Sequence, residues 1–177
     1  FSHLDYIGVS GGEPTLRKDL PDIYRAIAET KPEVNTGIIT NALVAEVVID
    51  RIKHSAEICN ANGLSFNVMV SLDGVGDVHD RVRGTDGAFD NAVKVIRHLR
   101  DNTNIPVSVG CTVTKENVWG VYELHEFCKS ENVPAKFRVA EFINRLYNDN
   151  REASIRNFTD RELYHLGLLF AKLEQET

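Results

Sequence analysis

Along the chain, short stretches that alternate apolar and polar residues are separated by longer stretches in which apolar residues recur at helical spacing. The alternating stretches predict β-strands, and the longer stretches predict amphipathic helices. Strands that alternate with helices in this way are typical of a parallel sheet with right-handed crossovers. The five predicted strands are Asp5–Ser10, Asn35–Thr40, Ser65–Leu72, Pro106–Thr114 and Ala135–Phe142.

The predicted helices carry start and stop signals. Asp19 can cap the first helix, and Asn62–Gly63 is a left-handed terminator for the second. The helix after the fourth strand is predicted to start at Asn117. The last helix opens with Thr159 and Glu162, which form a capping-box pair. Its predicted apolar face consists of Leu163, Leu166, Phe170 and Leu173.

Within several strands, the alternation separates an apolar face from a face of mostly small polar residues. A sheet with helices on both sides would show nearly continuous apolar runs, so only one face is predicted to pack on helices. This pattern predicts a barrel or an open barrel whose interior holds a ligand. A doubly wound sheet is the alternative architecture. In the third strand, one face is Phe66, Val68, Val70 and Leu72, and the other is Ser65, Asn67, Met69, Ser71 and Asp73.

Composition narrows the class of protein. The chain has 177 residues, a hydrophobic content of 42% and a net charge of −6, which does not favour a nucleic-acid or acidic-membrane partner. No apolar run approaches the roughly 20 residues of a membrane span. Three sparse cysteines without a secretory signal indicate a reducing, cytoplasmic location. Because Phe1 opens almost directly on a strand, we expect a piece of a longer protein, with a core domain over residues 1–145 and a C-terminal linker and helix over 146–177.

Polar residues gather at the carboxyl ends of the predicted strands, where parallel βα folds place their chemistry. The first strand is followed by Gly11, Gly12 and Glu13, and the second ends in Thr40 and Asn41. Glycine lets the backbone approach a ligand, and a glutamate accepts strong hydrogen bonds from an ammonium group. A tight turn with a solvated acid is the alternative interpretation of this motif.

The third strand ends in a hydroxyl and a carboxylate on the same face, Ser71 and Asp73, a pair that suits ribose hydroxyls or the head group of an amino acid. The alternative is a strand end whose polar groups satisfy one another. The charged segment that follows is predicted to be a loop, in which Arg83 can grip a carboxylate with its planar guanidinium. The charged residues His79–Arg81 also fit a surface loop with local ion pairs.

The histidines and cysteines form no metal-binding pattern. The six histidines lack close ligand spacing, and most are predicted to be solvated. Cys59 and Cys128 fall on apolar helix faces and Cys111 on the helix-facing side of its strand, so all three are predicted to be core residues. They offer no spaced motif for zinc or for an iron–sulfur cluster.

Taken in order, the strand-end motifs resemble those of the radical S-adenosylmethionine (SAM) enzymes. The combination is specific, although any one motif alone is not. The resemblance is strongest to the subgroup that contains molybdenum-cofactor biosynthesis protein A and the anaerobic sulfatase-maturating, peptide-modifying enzymes. The matching segments are VSGGEPTLR at Val9–Arg17, TNA at Thr40–Ala42, VSLDGVGDVHDRVRG at Val70–Gly84 and CTVTKEN at Cys111–Asn117.

This resemblance implies an α/β fold, a partial (β/α)6 TIM-like barrel of which about five parallel strands are present. It implies that Gly11 and Gly12 offer backbone groups to the methionine part of SAM, and that Glu13 holds its amino group. The other implied SAM-binding residues are Thr40 and Asn41 at a strand end, Ser71 and Asp73 for the ribose or the carboxylate, Arg83 for the carboxylate, and Gly110 and Thr112 along the adenine.

One departure from the family concerns its cluster. The family is defined by a Cys-x3-Cys-x2-Cys loop that holds a [4Fe–4S] cluster, and nothing in this sequence matches it. The resemblance therefore implies that the ligands lie upstream of Phe1 and that this chain alone is inactive. The parent protein is expected to be an oxidoreductase that cleaves SAM reductively to a 5′-deoxyadenosyl radical. The implied partners are a small-molecule or peptide substrate and an electron donor such as a flavodoxin or ferredoxin, without nucleic acid or membrane.

Two other functions are open at this point. The parent protein could be a degenerate, cluster-free relative that serves as a peptide-binding or scaffold module. It could also be an ordinary (β/α) barrel lyase or aldolase. Such enzymes usually have a phosphate-gripping loop or a catalytic lysine at a strand end, whereas here Lys115 is the only lysine close to one.

Overall fold

The computed structural model describes residues 4–140 and 157–176, within which five strands form one sheet. They are β1 (Tyr6–Val9), β2 (Asn35–Thr40), β3 (Phe66–Ser71), β4 (Val107–Val113) and β5 (Ala135–Val139). Their order in the sheet is β1-β2-β3-β4-β5, and the β1–β2 and β2–β3 pairs are parallel. All five predicted strands are therefore present. The predicted end of the last strand, Phe142, lies outside the described residues.

Helices follow the strands, as the sequence predicted, except that the helix over Asp77–Arg83 was expected to be a loop. They are α1 (Leu20–Thr30), α2 (Ala45–Ala61), α3 (Asp77–Arg83), α4 (Ala88–Asn102), α5 (Val121–Ser130) and α6 (Asp160–Gln175). Short 3-10 turns at Pro14–Leu16 and Val118–Gly120 precede α1 and α5, so the helix expected from Asn117 begins as a 3-10 turn. Within the described residues, no helix combines the length and the apolar character needed to cross a bilayer.

The predicted alternation of faces is confirmed in β3, whereas β2, for which none was predicted, buries polar residues on the same face as an isoleucine. In β3, every second residue is buried, beginning with Phe66, and the residues between are partly exposed. In β2, Thr36 and Thr40 are buried beside Ile38, whereas Ile39 is 40% exposed. Both buried threonine hydroxyls donate hydrogen bonds, as buried polar groups generally must.

Helix α1 is held on β2 by an aromatic side chain. Tyr24 has no exposed surface, its hydroxyl donates to the carbonyl of Gly37 at 2.9 Å, and its ring meets Phe66 edge-on. Asp19 precedes this helix but does not cap it with its side chain, because its carboxylate is paired with Arg17.

The chain divides into two compact units. The first comprises Phe1–Ser71 and Asp90–Val109, and the second comprises Leu72–Phe89 and Gly110–Thr177. The domain boundary predicted between residues 145 and 146 lies outside the described residues and stays a prediction.

The apolar face predicted for α6 is only partly correct. Leu166 and Leu169 are buried, but Leu163 is 52% exposed. The buried face also includes Glu162, and His165 contacts two aromatic rings of the same unit. Successive residues are about 100° apart around a helix. Leu163, which follows the buried Glu162, therefore points away from the buried face of α6.

The capping box predicted for α6 is confirmed and gives a first testable prediction. The Thr159 hydroxyl accepts from the amide of Glu162, and the Glu162 carboxylate accepts from the amide of Thr159. Replacing Thr159 with alanine is expected to lower the free energy of unfolding by about 1 kcal/mol, because the Glu162 amide loses its acceptor and the Glu162 carboxylate loses the hydroxyl that donates to it. Chemical denaturation measures this, and Thr159→Ser, which keeps the hydroxyl, is the matched control.

Candidate functional site

The Glu13 corner comprises Gly11, Gly12, Glu13, Thr15, Thr40 and Asn41, all in the first unit. The Oε1 atom of Glu13 accepts from the amide of Thr15 at 3.1 Å, from its hydroxyl at 2.6 Å and from the hydroxyl of Thr40 at 2.9 Å. The Oε2 atom accepts from the amide of Asn41 at 2.6 Å. Four donors therefore hold this carboxylate in one orientation, and it is not the solvated acid of the alternative interpretation.

The turn after β2 aims two of these donors at the carboxylate. The Thr40 hydroxyl accepts from the amide of Ala42 at 3.1 Å, and the Asn41 side chain accepts from the amide of Leu43 at 3.1 Å. Ala42 has a φ of 56°, in the left-handed region that non-glycine residues rarely adopt. Backbone in such a conformation persists when the surrounding contacts determine it, and here the side chains of Thr40 and Asn41 do so.

Gly11 and Gly12 have no structural need to be glycine in the described chain. Neither has a positive φ, and a Cβ added to either would meet no atom within 4 Å. Both are exposed beside the oriented carboxylate of Glu13. Open space next to backbone groups and an anionic acceptor fits the amino-acid end of SAM, which carries an ammonium group.

The Asp73 network comprises Asp73, His79, Arg83, Thr112 and Asn117, all in the second unit. Asp73 is 5% exposed; its Oδ2 atom pairs with Arg83 at 2.7 Å and its Oδ1 atom accepts from the amide of Thr112 at 3.1 Å. Burial raises the pKa of this carboxyl, and the guanidinium of Arg83 and the amide of Thr112 oppose that rise. Asp73 therefore has its ion-pair and hydrogen-bond partners within this chain.

The charged segment after β3 was predicted as a loop, and this prediction is wrong. Asp77–Arg83 is helix α3, and His79 is completely buried rather than solvated. Its Nδ1 atom accepts from the amide of Asp73 at 3.0 Å, so the proton is on Nε2. Asp80 accepts from the amides of Gly87 and Phe89, which caps the start of α4.

Burial lowers the pKa of His79 from its ordinary 6.5 to about 4, and the nearby Arg83 charge acts in the same direction. The hydrogen bond from Asp73 adds a geometric reason, because a proton on Nδ1 would face the amide proton. His79 is therefore neutral at physiological pH.

Two residues that organise these groups were not identified as site residues from the sequence. Thr15 supplies two of the donors to Glu13. Asn117 is 1% exposed, and its amide nitrogen donates to the carbonyls of Asp73 and Thr112. The signal for Thr15 was its position two residues after an acid at the start of a 3-10 turn, where side chains bond locally to the backbone.

Of the other predicted site residues, Ser71 ends β3, whereas Gly110 and Thr112 lie within β4. Ser71 is partly exposed on the face of β3 opposite its apolar residues. Gly110 accepts a hydrogen bond from the amide of Leu72 at 3.0 Å, and Thr112 is exposed on β4. Their contacts with SAM, and those of Asp73 and Arg83, stay predictions from the sequence.

The residues present do not fit a [4Fe–4S] cluster. All three cysteines of the chain are buried and free. Burial raises the pKa of each thiol, to about 12 for Cys128, whereas cluster ligands are thiolates. Within residues 4–140 and 157–176, no group of three histidine, cysteine or acidic side chains is placed to hold a metal ion.

Comparison with known proteins identifies the family. The model of the radical SAM superfamily matches residues 2–128. The chain therefore belongs to the radical SAM superfamily, whose members use SAM and a [4Fe–4S] cluster, and the family predicted from the strand-end motifs is confirmed.

Curated relatives show similarity over part of their length. The Fe-coproporphyrin III synthase of Methanosarcina barkeri is 37% identical over 125 residues, which cover 71% of this chain and 29% of that protein. The sporulation killing factor maturation protein SkfB of Bacillus subtilis is 26% identical over 123 residues, which cover 69% of this chain and 27% of that protein. The chain thus spans less than a third of either relative.

Solved structures show the same fold. Streptococcus suis SuiB bound to SAM superposes with a TM-score of 0.67 and 17% identity over 97% of this chain and 37% of that one. SuiB bound to the precursor peptide SuiA gives a TM-score of 0.64 and 20% identity over 96% of this chain and 36% of that one. The predicted fold class, α/β with five parallel strands in the manner of radical SAM barrels, is confirmed.

Proposed function

We propose that this chain forms the SAM-holding part of a radical SAM oxidoreductase, with the Glu13 corner receiving the methionine end of the cofactor. The observation that carries the proposal is a carboxylate oriented by four internal donors beside two glycines that face open space. In this arrangement, Glu13 accepts from the ammonium group of SAM, and the backbone of Gly11 and Gly12 approaches it without steric hindrance.

When SAM is bound beside a reduced iron–sulfur cluster, it supplies the chemistry of hydrogen abstraction from a substrate. The chain's own residues bind and orient its methionine end. The thiolates for the cluster have to come from outside this chain, because its three cysteines are buried thiols. An electron donor such as a flavodoxin or ferredoxin is part of the proposal on the strength of the family resemblance.

For the substrate, we propose a peptide or a small molecule. SuiB has been solved with a precursor peptide, and another relative is a PqqA peptide cyclase. Other relatives are named as synthases of Fe-coproporphyrin III and pre-heme d1. Both substrate classes are therefore represented among proteins similar to this chain.

The proposed function predicts SAM cleavage by the intact gene product. Purified anaerobically, it is expected to show iron–sulfur absorption and, with dithionite and SAM, to release 5′-deoxyadenosine. Chromatography of the reaction mixture measures that product, and the same protein without reductant is the control.

An intact gene product that contains no iron and releases no 5′-deoxyadenosine would contradict the proposal. It would favour the second candidate function, a cluster-free peptide-binding or scaffold module. The observation behind that candidate is the lack of suitable cysteines in this chain.

A further inference from the structure

We propose that Thr40 is a positioning residue that acts on SAM through Glu13, and not a direct contact to the cofactor. This inference rests on the proposed function and changes the role that the family resemblance implied for Thr40. It concerns the direction in which the Glu13 carboxylate is presented to the ligand.

The hydroxyl of Thr40 has no proton left to donate to a ligand, and it is buried. A hydroxyl has one proton to donate, and here that proton goes to Oε1 of Glu13 at 2.9 Å. The same oxygen accepts from the amide of Ala42 at 3.1 Å. Because Thr40 is 1% exposed, its side chain offers no accessible polar surface.

The donors around Glu13 are distributed unequally between its two oxygens. Oε1 accepts three hydrogen bonds, two from Thr15 and one from Thr40. Oε2 accepts one, from the amide of Asn41. A carboxylate offers about two lone-pair directions per oxygen, so Oε2 keeps an open direction. The described residues therefore leave Oε2 as the atom that receives the ammonium group.

Thr40 couples this orientation to the turn after β2. Its hydroxyl holds Glu13 and the left-handed Ala42 at once. Loss of the hydroxyl would leave Oε1 with only its two donors from Thr15 and would free the turn that carries the Asn41 amide, the donor to Oε2. The carboxylate could then rotate about Oε1, so Oε2 would no longer point in one fixed direction.

The test compares Thr40→Val with Thr40→Ser in the intact gene product. Valine has the shape of threonine without the hydroxyl, and serine keeps the hydroxyl. Thr40→Val is expected to weaken SAM binding, measured by anaerobic calorimetry, about tenfold, whereas Thr40→Ser stays within about twofold of the native protein. Glu13→Gln is measured alongside to report the contribution of the carboxylate itself.

A second readout does not depend on SAM. The short hydrogen bond from the Asn41 amide to Glu13 is expected to move that amide proton downfield in NMR spectra. In Thr40→Val, this resonance is expected to move toward its position in Glu13→Gln, and in Thr40→Ser it is expected to stay in place.

The outcomes separate this inference from the proposed function. Native affinity in Thr40→Val together with weak binding in Glu13→Gln would overturn the inference and leave the proposed function standing. Equal losses in Thr40→Val and Thr40→Ser would also overturn it. If the native protein binds no SAM, the proposed function fails, and an unmoved Asn41 resonance in Thr40→Val would then refute the positioning role by itself.

Discussion

The Gly12→Val variant is expected to fold like the native chain and to lose at least about a hundredfold in affinity for SAM. A Cβ at Gly12 meets no atom of the described chain within 4 Å, and its φ is not in the left-handed region. Substitutions at such exposed positions usually change stability by less than about 0.5 kcal/mol. The added isopropyl group would instead occupy the space that we assign to the methionine end of SAM.

Two measurements on the intact gene product test this expectation, thermal unfolding and anaerobic calorimetry with SAM. The matched control is Gly167→Val, because Gly167 is also exposed and an added Cβ would meet no atom outside its own helix within 4 Å, but it lies on α6. We expect native SAM affinity in the control. A Gly12→Val protein that is folded and binds SAM as tightly as the native protein would show that the ligand does not lie over Gly12.

The second large effect is a loss of stability in mild acid that depends on His79. Its pKa is lowered from 6.5 to about 4 in the folded chain, so the unfolded chain binds the proton more readily. The stabilisation is therefore complete above about pH 6.5 and is lost as the pH falls toward 4. A shift of this size corresponds to a loss on the order of 3 kcal/mol, comparable to the removal of a large buried side chain.

The measurement is the free energy of unfolding as a function of pH between 7.5 and 5, in the native chain and in His79→Asn. Asparagine can accept the hydrogen bond from the Asp73 amide through its side-chain oxygen but carries no titrating group. Its curve is expected to be flatter by up to about 1.4 kcal/mol per pH unit below pH 6.5. The surface variant His54→Asn, with 57% of the native side chain exposed, controls for removing a histidine.

Parallel curves for the native chain and His79→Asn would contradict the assignment of this transition to His79. Carboxyl groups also contribute to acid unfolding. Asp80, for example, has a pKa lowered by the amides of Phe89 and Gly87, and its contribution is lost as the pH falls through that lower pKa. Because these carboxyl groups are present in both proteins, the difference between the two curves isolates the histidine.

Much of the fold follows from local patterns in the sequence. The five strands were predicted from alternation of apolar and polar residues, and the capping box from Thr159 and Glu162 alone. The motif containing Glu13 was also found, because glycines and acids after a strand form a short, contiguous signal. These features depend on residues close together in the chain, so the sequence alone is enough to predict them.

Other features were decided by contacts between residues far apart in the chain. Thr40 and Glu13 are 27 residues apart, and only the folded chain shows that the threonine holds the acid. His79 was predicted to be solvated because its neighbours are charged, yet its imidazole is buried and accepts from the amide of Asp73. Leu163 was predicted to be a core residue, but α6 has more apolar residues than its buried face can hold.

The sequence by itself thus determined the strands, every helix except α3, the family and the acid at the centre of the Glu13 corner. The tertiary structure alone decided which donors orient that acid and which polar side chains are buried. The physical reason is that periodicity and capping act over a few residues. The partner of a buried polar group, by contrast, is set by whichever element the fold packs against it.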